Sequence, residues 1–147
     1  MKLKSNEKYK ILIICTGNSC RSQMAEGFAR NAGWQVLSAG IKPEIRVNPF
    51  AVKVMLEMGI DISHHTPQIV DKYLSDDFYL VATVCDYARE TCPVFNGSCE
   101  HQIHHDFKDP AKAKGSDKEI TEVYRQVRDN IRDWIENISK EHLDSKE

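Results

Sequence analysis

The sequence predicts one α/β domain spanning residues 1–147, in which helices cover a parallel sheet. Strand patterns and helix patterns alternate along the chain, and this alternation produces parallel sheets with helical crossovers. The chain has 147 residues, of which 41% are hydrophobic, so it can fill one core but would be cramped as two domains. We expect its polar ends, residues 1–8 and 139–147, to be frayed.

The first half of the chain predicts two strands and the helices that follow them. Residues 9–14 form an aliphatic run typical of a strand buried on both faces, and residues 34–39 predict a second strand. Between them, apolar residues at helical spacing predict a helix that ends at Gly33. Asn48, followed by a proline, is typical of a helix start. A short helix is then expected from Thr66 to about residue 74.

The second half predicts one strong strand, an irregular segment and a long helix. Residues 78–84 give the strongest strand signal of the chain. Residues 86–110 follow no regular pattern apart from a weak strand signal at 101–104. Ser116 and Glu119 have the spacing of a capping box, and an amphipathic helix follows them.

Charge and hydropathy exclude several classes of partner. The chain carries 20 Lys and Arg against 22 Asp and Glu, so no global basic field points to nucleic acid. Its apolar runs are too short to span a membrane, and no apolar stretch of signal-peptide length follows the N-terminal residues. We therefore expect a monomeric cytoplasmic protein with no nucleic-acid or membrane partner.

The loop after the first predicted strand has the properties of an oxyanion site. Cys15 and Arg21 enclose five small or polar residues, among which Gly17 and Asn18 tolerate positive φ and let backbone amides turn inward. The following helix start and the Arg21 guanidinium both favour anions. This environment is expected to lower the pKa of Cys15, and the Ser22 hydroxyl could hold its thiolate. The predicted loop comprises Thr16, Gly17, Asn18, Ser19, Cys20, Arg21 and Ser22.

A Cys-x5-Arg spacing can also arise by chance, as a buried cysteine and a surface arginine. The small polar spacer and the flanking strand and helix favour the functional interpretation. Cys20, inside the loop, is interpreted as a small filler residue.

The five cysteines are the other unusual feature. An odd number without an export signal argues against a structural disulfide framework. Zinc is an alternative, but gaps of six residues exceed the two to four usual in zinc-binding motifs. The residues that would form such a cluster are Cys85, Cys92, Cys99, His101, His104 and His105.

Residues 15–27, CTGNSCRSQMAEG, resemble the loop and first helix of thioredoxin-coupled arsenate reductases, which share their fold with low-molecular-weight protein tyrosine phosphatases. The resemblance implies a three-layer domain with a four-stranded parallel sheet and helices on both faces. It covers nearly the whole chain and continues through Ser38-Ala39-Gly40, Val47-Asn48-Pro49, Gly59-Ile60-Asp61-Ile62-Ser63, Cys85-Asp86, Cys92-Pro93 and Asp109-Pro110.

The resemblance implies a sequence of thiol reactions. Cys15 attacks arsenate in the loop, which phosphate or sulfate could also occupy, and Asp109 helps water to leave. Cys85 then attacks Cys15 and releases arsenite, leaving a Cys15–Cys85 disulfide. Cys92 converts it to a Cys85–Cys92 disulfide, which thioredoxin reduces. Cys99 departs from this three-cysteine scheme, either as a spare thiol or as an off-pathway partner.

A low-molecular-weight tyrosine phosphatase is the second interpretation, and a zinc- or redox-sensing module is the third. The loop and Asp109 would serve a hydrolase, and residual aryl phosphatase activity is expected in either case; Asp106 is a nearby competitor for the acid. Gln23 stands where the phosphatases usually have proline, and Ala111 where they often have tyrosine. Hydrolysis also has no use for the cysteines at 85 and 92.

The resemblance also concerns potassium. Family members with a cation site use residues matching Asn18, Glu26, Ser38 and Thr66, with an acidic residue where this chain has Gln68. Loss of that carboxylate weakens the attraction for a monovalent cation, so no required cofactor is expected. Bracing of the loop is the alternative role for Asn18 and Ser38.

Overall fold

The structure is a computed structural model that describes residues 9–92 and 94–143. Its sheet has four parallel strands in the order β2-β1-β3-β4. The strands are β1 (Lys10–Cys15), β2 (Gln35–Gly40), β3 (Phe78–Thr83) and β4 (Cys99–His104), and the helices are α1 (Arg21–Ala32), α2 (Pro49–Leu56), α3 (Asp86–Thr91) and α4 (Asp117–His142).

The central strand β1 shows why the sheet needs helices on both faces. Residues 11–14 are fully buried although successive side chains point to opposite faces of the sheet. Both faces are therefore covered, as the predicted three-layer α/β fold requires. Within the described residues, no helix has the length and apolar character needed to cross a membrane.

Local signals in the sequence account for the helix ends. Gly33 ends α1 in the left-handed region with φ 108°, and the Asn48 side chain accepts the backbone N–H of Phe50 at the start of α2. Ser116 and Glu119 form the predicted capping box of α4. These three predictions are confirmed.

The predicted helix from Thr66 is wrong in extent, because only a 3₁₀ turn forms, over Val70–Tyr73. The preceding residues are held extended along the end of β2. The backbone N–H of Gly40 donates to the carbonyl of Gln68, and a parallel bridge joins Gly40 to Ile69.

The carboxyl end of α4 also differs from its prediction. The helix continues to His142, past residue 139 where fraying was expected to begin. Ser139 is buried and accepts a hydrogen bond of 2.9 Å from the Trp34 indole, so this turn is anchored to the chain segment before β2. The other predicted frayed residues, 1–8 and 144–147, lie outside the described ranges.

Candidate active site

The loop from Cys15 to Arg21 connects β1 to α1 at the carboxyl edge of the sheet, where ligands bind in parallel α/β folds. A second segment supports its outer side. Backbone N–H groups at positions 41, 42, 44 and 48 donate to the carbonyls of loop positions 15, 16, 17 and 19 over 2.9–3.1 Å. Gly40 comes so close that a Cβ there would lie 2.7 Å from the Thr16 carbonyl.

Asn18 produces the turn of the loop. It adopts φ 52°, so of the two residues that tolerate positive φ, Asn18 and not Gly17 uses this conformation. Three hydrogen bonds of the Asn18 side chain stabilise this left-handed backbone conformation. Its amide donates to Ser22 (2.7 Å) and Ser38 (2.8 Å), and its oxygen accepts the backbone N–H of Gln68 at 2.8 Å.

Cys15 lies at the base of the loop with its thiol buried. Its Sγ is 2.8 Å from the Ser22 hydroxyl and accepts the backbone N–H of Asn18 at 3.2 Å. Burial raises the pKa of Cys15, while the hydrogen bonds from Ser22 and the charge of Arg21 act in the opposite direction. The predicted lowering of this pKa is therefore wrong in this structure, because desolvation is the larger effect.

Arg21 is positioned by the segment that follows β4. Its Nη1 donates to the carbonyl of Phe107 at 3.0 Å, and its Nη2 lies 3.7 Å from Asp109 Oδ2. Asp109 also accepts the backbone N–H of Ala111 at 3.0 Å. The guanidinium and this carboxylate thus face the loop together.

Asp109, and not Asp106, lines the cavity over Cys15. This cavity of about 120 Å³ is bounded by the loop, Arg21 and Asp109. Asp106 is directed elsewhere, since its Oδ1 accepts the backbone N–H of Asp86 at the start of α3 over 3.1 Å.

Cys85 adjoins the loop. Its Sγ lies 3.3 Å from the Thr16 hydroxyl, and it lines a second cavity that shares Thr16, Arg21 and Asp109 with the first. Cys85 is buried, immediately before α3. The structure thus brings the predicted second cysteine next to the predicted nucleophile loop.

Cys92 lies at the opposite end of α3. It is half-buried and lines a separate cavity together with Cys99. Burial raises the pKa of both thiols. All five cysteines of the chain are free thiols. Therefore α3 must rearrange before Cys92 can reach Cys85.

Cys20 lines the cavity over Cys15 and also contacts helix α4. Its buried Sγ lies 3.5 Å from the Tyr124 hydroxyl. Burial raises the pKa of Cys20 and also that of Tyr124. The interpretation of Cys20 as a filler residue stays a prediction.

Sequence reasoning missed two basic residues of the site. Lys42 and Lys112 line the cavity that contains Cys85. Lys42 comes from the segment that supports the loop, and Lys112 follows Asp109 by three residues. No local sequence pattern marks either lysine, because only the fold brings them near Cys85.

The residues of the zinc alternative are not brought together. Among residues 9–92 and 94–143, no group of three or more His, Cys, Asp or Glu side chains could hold a metal ion. Cys85 lies beside Thr16, whereas Cys92 and Cys99 line another cavity. The described part of the chain therefore gives the zinc interpretation no support.

The residues that match the potassium site are hydrogen-bonded to one another and to basic side chains. Glu26 already binds Arg30 at 2.7 Å and accepts from Ser38. Thr66 accepts the Gln68 amide at 2.8 Å, and the Gln68 oxygen accepts from the Lys72 ammonium at 3.0 Å. Four oxygens of this set already accept hydrogen bonds from the protein: Glu26 Oε1 and Oε2, Thr66 Oγ1 and Gln68 Oε1.

This parallel sheet, with a cysteine and an arginine in the loop after β1, defines a phosphatase-like class of protein. Residues 10–144 match the model of the low molecular weight phosphotyrosine protein phosphatase family, and the chain belongs to that family. Among its relatives is the arsenate reductase of Halalkalibacterium halodurans, 48% identical over 127 residues, 84% of this chain and 90% of the relative. The arsenate reductase of Bacillus subtilis is 44% identical, over 82% of this chain and 88% of the relative.

Solved structures give the same relationship. A structure described as an arsenate reductase in the phosphate binding state has a TM-score of 0.73 and 34% identity, covering 88% of this chain and 95% of that one. A second, described as an arsenate reductase in oxidized state, has a TM-score of 0.75 and 32% identity over the same shares. The YwlE arginine phosphatase from Geobacillus stearothermophilus has a TM-score of 0.74 and 26% identity, covering 94% and 95%. The predicted fold class is confirmed.

Proposed function

We propose that this protein is an arsenate reductase that uses Cys15, Cys85 and Cys92 in an intramolecular thiol relay, and that thioredoxin restores its thiols. The observation that carries the proposal is the contact of 3.3 Å between Cys85 Sγ and the loop residue Thr16. A hydrolase needs no second thiol there. A reductase that takes two electrons from thiols does. The reductases among the relatives support the substrate.

In the first step, arsenate binds in the loop and the Cys15 thiolate attacks arsenic. The Arg21 guanidinium and the loop amides hold the oxyanion, and Asp109 protonates the departing oxygen, which leaves as water. Because burial raises the pKa of Cys15, its thiolate depends on the donors beside it. The Ser22 hydroxyl, 2.8 Å from Sγ, supplies one of them.

In the second step, the Cys85 thiolate attacks the Cys15 sulfur. A sulfur–sulfur bond forms and the sulfur–arsenic bond breaks. Its electron pair goes to arsenic, so arsenic(V) becomes arsenic(III) and leaves as arsenite. The two sulfurs together lose two electrons as they form the Cys15–Cys85 disulfide. The electrons therefore balance without a cofactor.

In the third step, Cys92 attacks Cys85, and Cys15 departs as a thiolate. The Cys85–Cys92 disulfide is then reduced by the two thiols of thioredoxin. This step requires α3 to unwind, since Cys85 and Cys92 line different cavities. Thiols that must be regenerated in each cycle function in a reducing compartment, so we also propose that the enzyme is cytoplasmic. Separately, we propose that it is a monomer.

A phosphatase activity is the second function, and one arrangement favours it. Cys15, Arg21 and Asp109 line a single cavity, and they are the nucleophile, anion ligand and acid that hydrolysis of a phosphate ester needs. The similarity to an arginine phosphatase is compatible with it. We propose residual hydrolysis of activated aryl phosphates by the same site.

For potassium, we propose that the enzyme has no requirement. Activity and melting temperature should be equal in potassium and sodium chloride at matched ionic strength, because Arg30 and Lys72 occupy the oxygens concerned. A gain in either quantity that is specific to potassium would contradict this.

The relay is tested by arsenate-dependent oxidation of reduced thioredoxin. We expect turnover in the wild type and in Cys99→Ser, the matched control in which a thiol outside the relay is removed. Cys15→Ser, Cys85→Ser and Cys92→Ser should all lose sustained turnover. Wild-type rates in Cys85→Ser and Cys92→Ser would disprove the relay and favour the phosphatase.

A further inference from the structure

The first residue of α3 is held by two residues from the end of β4. The Asp86 carboxylate lies 2.7 Å from His104 Nε2, and the backbone N–H of Asp86 donates to Asp106 at 3.1 Å. Arg89 approaches the same carboxylate less closely, at 3.7 Å. Asp86 directly follows Cys85, so these contacts act one residue from a thiol of the proposed relay.

His104 is itself fixed to the sheet. It lies opposite Thr83 in the parallel register of β3 and β4, and its Nδ1 is 2.7 Å from the Thr83 hydroxyl. A carboxylate can only accept, so the proton on the Asp86 side belongs to Nε2; in the neutral ring, Nδ1 then accepts from Thr83. The next residue, His105, donates its backbone N–H to the Thr83 carbonyl at 3.0 Å. A continuous chain thus joins β3 to the start of α3.

The carboxyl end of α3 is held differently. Among the described residues, the hydrogen bonds at this end are made between residues 87–92. Cys92 donates its backbone N–H to Ala88 at 3.0 Å, and the Thr91 hydroxyl donates to the carbonyl of Tyr87. Such bonds break together when the helix unwinds, whereas the His104–Asp86 contact does not depend on helical structure beyond Asp86.

We infer that His104 is a positioning residue for the relay, which anchors Asp86 and thereby keeps Cys85 beside Thr16 while α3 opens from the Cys92 end. This inference rests on the proposed function. It assigns different roles to the two ends of α3: a fixed thiol that attacks Cys15, and a moving thiol that resolves the disulfide. His104 acts through Asp86 and touches no reacting atom.

The test uses the full chain with Cys92→Ser, in which one turnover with arsenate should stop at the Cys15–Cys85 disulfide. Adding His104→Ala should slow formation of this disulfide about tenfold, because the residue after Cys85 loses its side-chain anchor and keeps only the backbone bond to Asp106. Hydrolysis of an aryl phosphate should stay unchanged, since it does not use Cys85. Asp86→Ala should slow the disulfide equally, and the double variant should be no slower than either single one.

His101→Ala is the matched control, because His101 lies on the same strand and its ring contacts Tyr79 and His142, on the side of α4. It should form the disulfide at the rate of the parent. Amide exchange of reduced His104→Ala should increase at residues 86–88, which reports the anchor directly. Should His104→Ala fail to fold, Asp86→Ala tests the same contact with His104 left on Thr83.

Two failures are distinguishable. If the Cys92→Ser parent forms no Cys15–Cys85 disulfide with arsenate, the proposed relay is wrong. If the parent forms it and both His104→Ala and Asp86→Ala match its rate, the relay stands and the positioning role of His104 is overturned. Additive effects in the double variant would likewise overturn it, because they would show that the two residues act separately.

Discussion

The Ser22 hydroxyl lies 2.8 Å from the Cys15 thiol, at the point where the loop becomes α1. Ser22 also accepts the Asn18 side-chain amide at 2.7 Å, so its hydroxyl proton is free to point at sulfur. Burial raises the pKa of Cys15, and this hydrogen bond is the largest influence that lowers it. Hydrogen bonding in the loop therefore offsets part of the cost of a buried thiolate.

Ser22→Ala should raise the pKa of Cys15 further and lower its reactivity at neutral pH. The reason is that the thiolate loses a donor while the desolvation stays. We expect about a tenfold decrease in aryl phosphate hydrolysis and in alkylation of Cys15 by iodoacetamide. The pH dependence of alkylation, followed by peptide mass spectrometry, measures the shift. Ser63→Ala, distant from the loop, is the control, and an unchanged alkylation profile in Ser22→Ala would contradict the assignment.

Removal of single relay cysteines should stop the reaction at different places. After one turnover with arsenate, Cys92→Ser should hold Cys15–Cys85, and the wild type should hold Cys85–Cys92 with Cys15 free. Cys85→Ser should keep aryl phosphatase activity, because the cavity over Cys15 remains complete. Mapping of disulfide-linked peptides identifies each state. If Cys15→Ser still forms the Cys85–Cys92 disulfide with arsenate as the wild type does, the proposed order of steps is wrong.

Asp109→Asn should decrease aryl phosphate hydrolysis about a hundredfold, because the leaving oxygen loses its proton donor. Asp106→Asn is the matched control: this residue lies three positions earlier but binds the start of α3. It should retain hydrolysis within about twofold, since its amide oxygen can still accept. Steady-state rates with an activated aryl phosphate decide the matter. Equal losses of hydrolysis in both variants would contradict the assignment of Asp109 as the general acid.

The fold could be predicted for those elements whose buried residues form a regular apolar pattern in the sequence. β1 is buried on both faces, and its aliphatic run is visible as such. By contrast, α3 buries only Ala88, and the edge strand β4 is mostly exposed, so neither has an apolar pattern to recognise. The sequence accordingly predicted an irregular segment where a helix and a longer strand occur.

The site could be predicted to the extent that its chemistry is local. Cys15 and Arg21 share one loop, and their spacing, the small polar residues between them and the flanking strand and helix together indicated an anion site. The pKa of Cys15 was predicted in the wrong direction, since loop composition shows the donors but not the burial of the thiol. The His104–Asp86 contact was not predicted at all, because it depends on the register between β3 and β4.

Glu57 gives a prediction about stability and pH. Arg125 and Arg128 of α4 bind its carboxylate at 2.7 and 2.8 Å, and these hydrogen bonds and charges lower the pKa of Glu57 to about 2 from an ordinary 4.5. A carboxyl group whose pKa is depressed by folding stabilises the protein above its unfolded pKa. That contribution is lost as the pH falls from 4.5 toward 2.

Glu57→Gln should therefore lower the free energy of unfolding by about 1 kcal/mol near neutral pH, a modest value because the carboxylate is partly exposed. The difference from the wild type should shrink progressively below about pH 4.5 and vanish near pH 2. Urea unfolding of both proteins across this range measures it. Glu122→Gln is the control: Glu122 binds the same Arg125 at 3.2 Å but is more exposed, so its effect should be smaller. A Glu57→Gln difference that is independent of pH would show that packing, and not the ion pair with α4, is what the substitution removes.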